Sequence, residues 1–247
     1  MESCTWPMNS TTGPAFRGAA SSSGWRLEEA GADYIDVARR PEREGGGVAA
    51  LIAFVDREDI ANAPFAPPFL KDGDVLIGQT AAILLYLGDR HELAPRDAAK
   101  WFWVHQIQLT IADLVGEAHD THHPLSGDLY YEEQKPEALR RAKYFREERI
   151  PKFLGWFEGI LAHNPEGAGQ LVGSALTYAD LSLFQIVEGL VYAFPRRMKR
   201  TLKELPRLAA LHQAIAQRRR IRVYLNSDRR IAFNEQGIFR HYPELDG

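Results

Sequence analysis

The 247-residue sequence contains a single cysteine, Cys4, so no disulfide can form within the chain. Disulfides are typical of secreted proteins, and their exclusion favours a reducing compartment. No apolar run reaches the roughly 18 residues that a membrane-spanning helix needs. The N-terminal residues also lack the basic start and apolar core of a secretory signal. We therefore expect a cytoplasmic protein that does not associate with membranes.

The chain has little excess charge of either sign, since 30 Lys and Arg residues against 33 Asp and Glu residues leave a formal net charge of −3. This balance excludes a general polyanion-binding protein. The densest basic run is Arg218–Arg222, which the pattern places in the last turns of a helix. Cations there suit the negative end of the helix dipole. No nucleic-acid partner is therefore expected.

Potential metal ligands are concentrated in one short stretch, EAHDTHHP. They are Glu117, His119, Asp120, His122 and His123. Histidine and carboxylate groups together can bind zinc. However, His123 precedes Pro124, where a helix is expected to end. A solvated helix end is the favoured interpretation, and we predict no metal.

The chain changes character after its first third. The early part contains the strand candidate YIDVA, the hairpin candidate FLKDGDVLI with its Asp-Gly turn, and the helix candidate QTAAILLYLGDR. Later, apolar residues such as Val104, Ile107 and Ile111 recur at helical spacing. The pattern predicts a small α/β domain at residues 1–88, a polar linker at 89–97 and an all-helical domain at 98–247.

Two motifs beside the predicted hairpin are candidates for a ligand site. Pro67–Pro68 precedes the first strand, where a cis bond would expose the preceding carbonyl to a ligand. On the dipeptide alone, a plain Pro-rich loop is favoured. Gln79–Thr80 stands at the start of the next helix, whose free N–H groups bind carboxylates well. The alternative is that Thr80 only caps this helix.

A third motif, Thr177-Tyr178-Ala179-Asp180, has the pattern of a capping box with an acidic fourth residue. The Thr177 hydroxyl can accept from the Asp180 N–H, and the Asp180 carboxylate can accept from the Thr177 N–H. This arrangement satisfies the orphan donors of a buried helix. We predict a structural role for it and no part in catalysis.

In this order and spacing, LEEAGADY, PPFLKDGDVLIGQTAAILLYLG and LTYADLSLF together resemble the cytosolic glutathione S-transferases. The resemblance covers about Leu27 to Leu225 and is greatest to the tyrosine-type classes (alpha, mu and sigma). It implies a thioredoxin-like N-terminal domain that binds glutathione and an all-α C-terminal domain. The pocket for a small apolar second substrate would lie between the N-terminal domain and the helix of Trp103 to His119. A homodimer is also implied.

The resemblance assigns roles to five residues. Pro68 matches the family's cis-proline, and Pro67 matches the residue whose backbone pairs with the cysteinyl part of glutathione. Pro67 has no N–H, so only its carbonyl can take part. Gln79 and Thr80 match the pair that holds the γ-glutamyl carboxylate. Asp113 matches an acid that reaches the γ-glutamyl amine across the dimer interface.

The implied activity is conjugation of the glutathione thiolate to small apolar electrophiles, with glutathione as co-substrate. Two alternatives stay open. One is a non-catalytic glutathione-fold protein that binds or scaffolds, and the other is a glutathione-dependent isomerase or peroxidase, because a fold does not determine a reaction.

The sequence lacks the tyrosine that the resemblance leads us to expect, since no tyrosine precedes Tyr34. The catalytic residue is therefore unassigned. Ser21, Ser22, Ser23 or Cys4 would have to stabilise the thiolate, although a flexible Ser/Gly linker is the favoured interpretation of the serines. The segment before Leu27 also lacks the apolar stripe of a helix, whereas the family opens its first helix with a pattern like GRGE followed by apolar residues.

Back-translation provides a reason for this missing opening. Ala19–Trp25 can be encoded by GCG GCG AGT TCG TCC GGC TGG. Preceded by one C and read one base earlier, these bases encode Arg-Gly-Glu-Phe-Val-Arg-Leu, which is the expected opening. One extra base within the Arg26 codon restores the frame. Our hypothesis is that residues 1–26 are wholly or partly frame-shifted, in the gene or in its recorded sequence.

Sequencing the genomic DNA tests this hypothesis. We expect the codons of Ala19–Trp25 to be those that encode Arg-Gly-Glu-Phe-Val-Arg-Leu one base earlier, and an insertion or deletion near Arg26. Other codons at these positions would contradict the frame shift.

Overall fold

The computed structural model describes residues 27–167 and 169–247, together with the backbone of residues 8–11. The frame-shift hypothesis concerns residues that lie almost entirely outside the described part. Cys4, Ser21, Ser22 and Ser23, the alternatives for the catalytic group, also lie outside it.

The N-terminal domain is built on one four-stranded sheet with the strand order β2-β1-β3-β4. The β1–β2 pair is parallel, and the other two pairs are antiparallel. The strands are β1 (Met8–Thr11), β2 (Tyr34–Asp36), β3 (Phe69–Asp72) and β4 (Val75–Gly78). The predicted hairpin is therefore confirmed. The predicted strand YIDVA is shorter than expected, since the chain enters a 3-10 turn at Val37–Arg39.

Helices cover both faces of this sheet. Side chains alternate along β3, so that Phe69 packs with Leu51 on one face and Leu70 packs with Leu27 on the other. Leu27 is fully buried, and it belongs to the last turn of a helix that closes at Gly31. The helices are α1 (residues 27–30), α2 (Gly47–Val55) and α3 (Thr80–Arg90). A second 3-10 turn spans Glu42–Glu44.

The rest of the described chain is helical or irregular. Helix α3 extends to Arg90, so helical residues reach into the predicted linker. A π-helical turn at Phe145–Arg149 joins α5 to α6. The helices are α4 (Ala98–His119), α5 (Lys135–Tyr144), α6 (Ile150–His163), α7 (Tyr178–Ala193), α8 (Pro195–Glu204), α9 (Pro206–Gln217), α10 (Arg219–Leu225) and α11 (Pro243–Asp246). None of the helices in the described residues combines the length and apolar character that crossing a bilayer requires.

Helix α7 runs through the centre of the helical domain, and the predicted capping box at its start is confirmed. The Asp180 carboxylate is fully buried and accepts from the Thr177 N–H at 2.7 Å and from the Thr177 hydroxyl at 2.7 Å. Its other oxygen accepts from the Leu171 N–H at 2.8 Å, a contact that the motif did not predict. One carboxylate thus joins the helix start to the preceding loop.

Two arginines of the RRRIR run hold the two domains together, and the helix-end interpretation is only partly right. Arg218 is both the C-cap of α9 and the N-cap of α10, and Arg222 lies in the last turn of α10. Cations at a helix start oppose its dipole. Instead, Arg218 pairs with Glu29 at 2.5 Å, and Arg220 donates to the Glu29 carbonyl at 2.8 Å. Gly31 has φ 66°, which favours glycine, and a Cβ there would lie 2.6 Å from the Arg220 guanidinium and displace it.

The chain after α10 returns across the helical domain as an irregular segment. Tyr242 stacks on Tyr131 with 3.8 Å between the ring centroids. Asp246 is buried and caps α8, accepting from the Arg196 N–H at 2.8 Å and the Arg197 N–H at 3.2 Å. The ring stacking holds the C-terminal segment against Tyr131, and the Asp246 hydrogen bonds hold its last residues at the start of α8.

Replacing Asp180 by Ala tests the energetic weight of the buried cap. We expect a loss of about 3 kcal/mol in the free energy of unfolding, because the Thr177 and Leu171 N–H groups would lose a charged acceptor in a buried site. Urea denaturation measures this. Asp128→Ala, at an exposed position, is the matched control and should change stability by less than about 0.5 kcal/mol. Equal effects of the two substitutions would contradict the assignment.

Candidate functional site

The pairing of β3 with β4 brings the two predicted ligand motifs together. Phe69 pairs with Gly78 at the open end of the hairpin. Pro68 directly precedes Phe69, and Gln79 directly follows Gly78. The two motifs, separated by a whole hairpin in sequence, therefore lie at the same edge of the sheet.

Strand β1 ends at this edge too. Thr11, its last residue, pairs with Phe69. The chain thus leaves β1 beside the Pro67–Pro68 motif. The peptide bond between Pro67 and Pro68 is cis, which confirms the predicted backbone geometry of this motif. Both prolines are half-buried.

The start of α3 has no side-chain cap. Gln79 is the N-cap residue and Thr80 the first helical residue, and the Gln79 side chain makes no capping hydrogen bond. The alternative that Thr80 serves as the cap is therefore wrong. Gln79 has φ 65° and ψ 121°, a conformation that non-glycine residues rarely adopt and that is enriched at functional sites. Gln79 is exposed and Thr80 half-buried, so this helix start is accessible to a ligand.

A cavity of about 530 Å³ opens between α3 and α4 at this point. It lies at the boundary where the second-substrate pocket was expected. Most of its wall is apolar, which suits a small organic ligand. Its lining includes Gln79, Thr80, Ala81, Ala82 and Leu85 from the α3 side and His105, Gln108, Leu109, Ala112 and Val115 from α4.

Asp113 does not join the other four predicted residues within one chain. It is exposed on α4 and does not line the cavity. A larger cavity of about 660 Å³ lies elsewhere, between α4, α6 and the loop that follows α6, and contains none of the predicted residues. Trp103 and Trp156 meet edge to face in its wall with 5.9 Å between ring centroids.

A family model described as "Glutathione S-transferase, C-terminal domain" matches residues 119–228. The chain is similar to a glutathione S-transferase of Plasmodium falciparum (isolate 3D7), with 24% identity over 199 residues, covering 78% of this chain and 86% of the relative. It is also similar to glutathione S-transferase P 1 of Xenopus laevis, with 28% identity over 163 residues, covering 66% of this chain and 69% of the relative.

The chain is also similar in fold to solved structures. The Pi-class glutathione S-transferase of Onchocerca volvulus superposes with a TM-score of 0.67 at 19% identity, covering 89% of this chain and 92% of that one. The family model and the curated relatives support a cytosolic glutathione S-transferase family member, and the solved structures show the same fold. The prostaglandin synthase D of Nilaparvata lugens shares the fold with a TM-score of 0.67 at 16% identity, covering 90% of this chain and 98% of that one. The predicted fold, a thioredoxin-like domain followed by an all-α domain, is therefore confirmed.

Sequence reasoning missed two polar residues that line the cavity, His105 and Gln108. Gln108 is only 2% exposed. A signal was present, because Gln108 lies one turn after Val104 and shortly before Ile111, in the apolar stripe of α4. A polar residue at a stripe position requires a reason.

His119, His122 and His123 lie at the end of α4 and just beyond it, and they form a compact cluster. Their ring centroids are 4.8 to 5.4 Å apart. His122 is buried and its Nε2 lies 2.8 Å from the Ile238 carbonyl, to which it donates. Its Nδ1 is then an acceptor and faces the His123 Nδ1 at 2.5 Å. Among residues 27–167 and 169–247, no group of His, Cys, Asp and Glu side chains is arranged to hold a metal ion.

Burial, helped by the charge of Arg240 and by the neighbouring His119 and His123, lowers the pKa of His122 to about 3. The solvated helix end expected from sequence is therefore wrong for His122, which is enclosed between α4 and the C-terminal segment. Its neutral form is the one that the folded protein stabilises.

This burial predicts acid destabilisation. Below the ordinary pKa of 6.5, unfolded His122 gains a proton that folded His122 does not bind until about pH 3. Its contribution to stability should therefore fall by about 1.4 kcal/mol per pH unit across this window. Between pH 7.5 and 4.5, the slope of the unfolding free energy against pH should be smaller in His122→Asn than in the unmodified chain. The difference should correspond to about one bound proton. His163→Asn, an exposed histidine of α6, is the control, and equal slopes in all three proteins would refute the assignment.

Proposed function

We propose that this protein is a glutathione transferase that conjugates the glutathione thiolate to small apolar electrophiles. The observation that carries the proposal is the uncapped, accessible start of α3 beside Pro67–Pro68, at the mouth of an apolar cavity. An uncapped helix start binds a carboxylate through its N–H groups, and the apolar part of the cavity beyond it suits an apolar second substrate. The names of the relatives agree with this activity.

Glutathione would bind along the sheet edge. The γ-glutamyl carboxylate accepts from the N–H groups and the hydroxyl at Gln79 and Thr80. The cysteinyl N–H donates to the Pro67 carbonyl, which the neighbouring Pro68 orients. The thiol then lies near the end of β1, where the Thr11–Phe69 pair brings that strand to the same edge.

Catalysis would come from proximity and from stabilisation of the thiolate. A free thiol has a pKa of about 8.5, so a hydroxyl donor near the end of β1 would raise the thiolate fraction at neutral pH. The chain as written has no tyrosine before Tyr34.

The alternative reading frame would supply the missing hydroxyl. In the frame that restores the helix opening, the last base of an ACT codon for Thr11 and the first two bases of the Thr12 codon form TAC, a tyrosine codon. Strand β1 ends at Thr11, and this codon directly follows it in sequence. The repaired chain is therefore the form that we expect to turn over substrate.

We further propose a cytoplasmic homodimer whose interface includes α4. Phe102 and Leu109 are 65% and 47% exposed, and they share one helical face with Ala112 and Gly116. An exposed apolar face of this kind suits a second copy of the chain. Asp113 is adjacent to this face, so it could reach the γ-glutamyl amine bound by the partner.

Two observations favour other functions on the same fold. The absence of a tyrosine before Tyr34 favours a non-catalytic glutathione-binding protein. The likeness to a prostaglandin synthase favours an isomerase. Turnover of a generic aryl halide with glutathione would separate a transferase from a non-catalytic protein, and isomerase and peroxide substrates would test the remaining activities.

Calorimetric titration of glutathione tests the site. We expect Thr80→Val to weaken binding about 10- to 100-fold, because the carboxylate loses a charge-assisted hydrogen bond of about 1.5 to 3 kcal/mol. Thr110→Val, on α4 and outside the cavity lining, is the matched control and should bind like the unmodified chain. Binding that is unaffected by Thr80→Val would reject this site, and no binding to either the written or the repaired chain would reject the proposed function.

A further inference from the structure

The cavity between α3 and α4 contains a buried polar group without a partner. Gln108 is 2% exposed, and its amide oxygen accepts no hydrogen bond from any of the described residues. The Nδ1 atom of His105, three residues earlier on the same helix and in the same wall, is likewise buried and unpaired in that part of the chain. Buried polar atoms are nearly always hydrogen-bonded, so two such atoms in one wall need an explanation.

Packing does not supply that explanation. The neighbouring inward positions of α4 are Val104, Ile107 and Ile111, all buried and apolar. A leucine at residue 108 would extend this stripe without leaving an amide unsatisfied. Buried polar groups that lack a hydrogen-bond partner and so destabilise the fold are expected at functional sites, where a bound ligand can supply the partner.

The position of Gln108 indicates which ligand would do so. Helices α3 and α4 are consecutive and joined by a short connection, and the first turn of α3 contributes Thr80, Ala81 and Ala82 to the same cavity. Uncapped N–H groups at that turn attract a carboxylate. Carbonyl and imidazole acceptors a short distance along the cavity suit a hydrogen-bond donor.

Among the residues that the structure describes, no Asp, Glu, Lys or Arg lines the cavity. A ligand group with a single net charge would enter it without a counter-charge. A zwitterion fits better, because the helix start meets its anionic end and neutral acceptors meet its cationic end. The γ-glutamyl end of glutathione is such a group, with an α-carboxylate and an α-ammonium on one carbon.

We propose that Gln108, assisted by His105, accepts hydrogen bonds from the α-ammonium of glutathione bound in the same subunit. This inference rests on the proposed function and adds residues that determine specificity for a free amino group. It requires no contribution from a partner chain, whereas the role of Asp113 does. Gln108 completes its hydrogen bonding only when the ligand is bound.

Two ligands and two matched variants test this proposal. Glutathione and its des-amino analogue, glutaryl-cysteinyl-glycine, differ only in the α-amino group. Calorimetric titration of both into the unmodified chain should show tighter binding of glutathione. In Gln108→Leu, we expect glutathione to bind about tenfold more weakly and the analogue to bind unchanged. Gln106→Leu makes the same substitution at an exposed position of α4 and should leave both affinities unchanged.

Thermal unfolding of the ligand-free proteins gives a second readout. Gln108→Leu should unfold at the same or a higher temperature than the unmodified chain, because it removes an unsatisfied amide. Gln108→Met, with a flexible side chain of similar length, gives the same comparison if the branched leucine disturbs packing.

The outcomes separate the two proposals. An equal loss of affinity for both ligands in Gln108→Leu and Gln108→Met, or a clear fall in thermal stability, would assign Gln108 a structural role and overturn the inference. Unchanged binding of glutathione to both variants would also overturn it. Failure of the unmodified and repaired chains to bind glutathione would instead overturn the proposed function, and the inference with it.

Discussion

The helical domain depends on one buried carboxylate, that of Asp180. It takes hydrogen bonds from Thr177 at the start of α7 and from Leu171 in the preceding loop. Helix α7 is buried on nearly every side, so its first N–H groups cannot turn to water for partners. The same helix contacts α3 directly, where a Cβ at Gly88 would lie 2.4 Å from the Tyr178 ring. The position of α3, and with it the candidate site, therefore follows from the way α7 begins.

The site is an edge at which separate constraints meet. The Phe69–Gly78 pair aligns a cis-proline motif with a helix start, and the Thr11–Phe69 pair adds the end of β1. Helix α4 closes the other side with an apolar wall in which the buried Gln108 amide oxygen accepts no hydrogen bond from the described part of the chain. Each element contributes a different property: backbone acceptors, uncapped donors, apolar surface and a neutral acceptor. Together they suit a short peptide with a zwitterionic end and a reactive thiol.

The junction between the domains relies on charge. Glu28 and Glu29 at the end of α1 pair with Arg229 and Arg218, respectively. Gly31 lets Arg220 approach the chain closely at the turn that follows. These pairs are partly exposed, so each contributes modestly to stability. Their geometry matters more, because it holds the last turn of α1, and with it Leu27, against the sheet that positions the site.

Local pattern was enough to predict the order of elements, the hairpin, the capping box and the Pro67–Pro68 and Gln79–Thr80 motifs. Each depends on residues near one another in sequence, where spacing and turn chemistry act directly. The interdomain role of Arg218 and Arg220, the burial of His122 and the unpaired Gln108 could not be predicted in this way. The segments that surround them are distant in sequence: Glu29 pairs with the arginines, Ile238 accepts from His122, and the start of α3 lines the same cavity as Gln108. Burial and pairing of a polar side chain depend on what the completed fold brings to it, which periodicity along one helix does not contain.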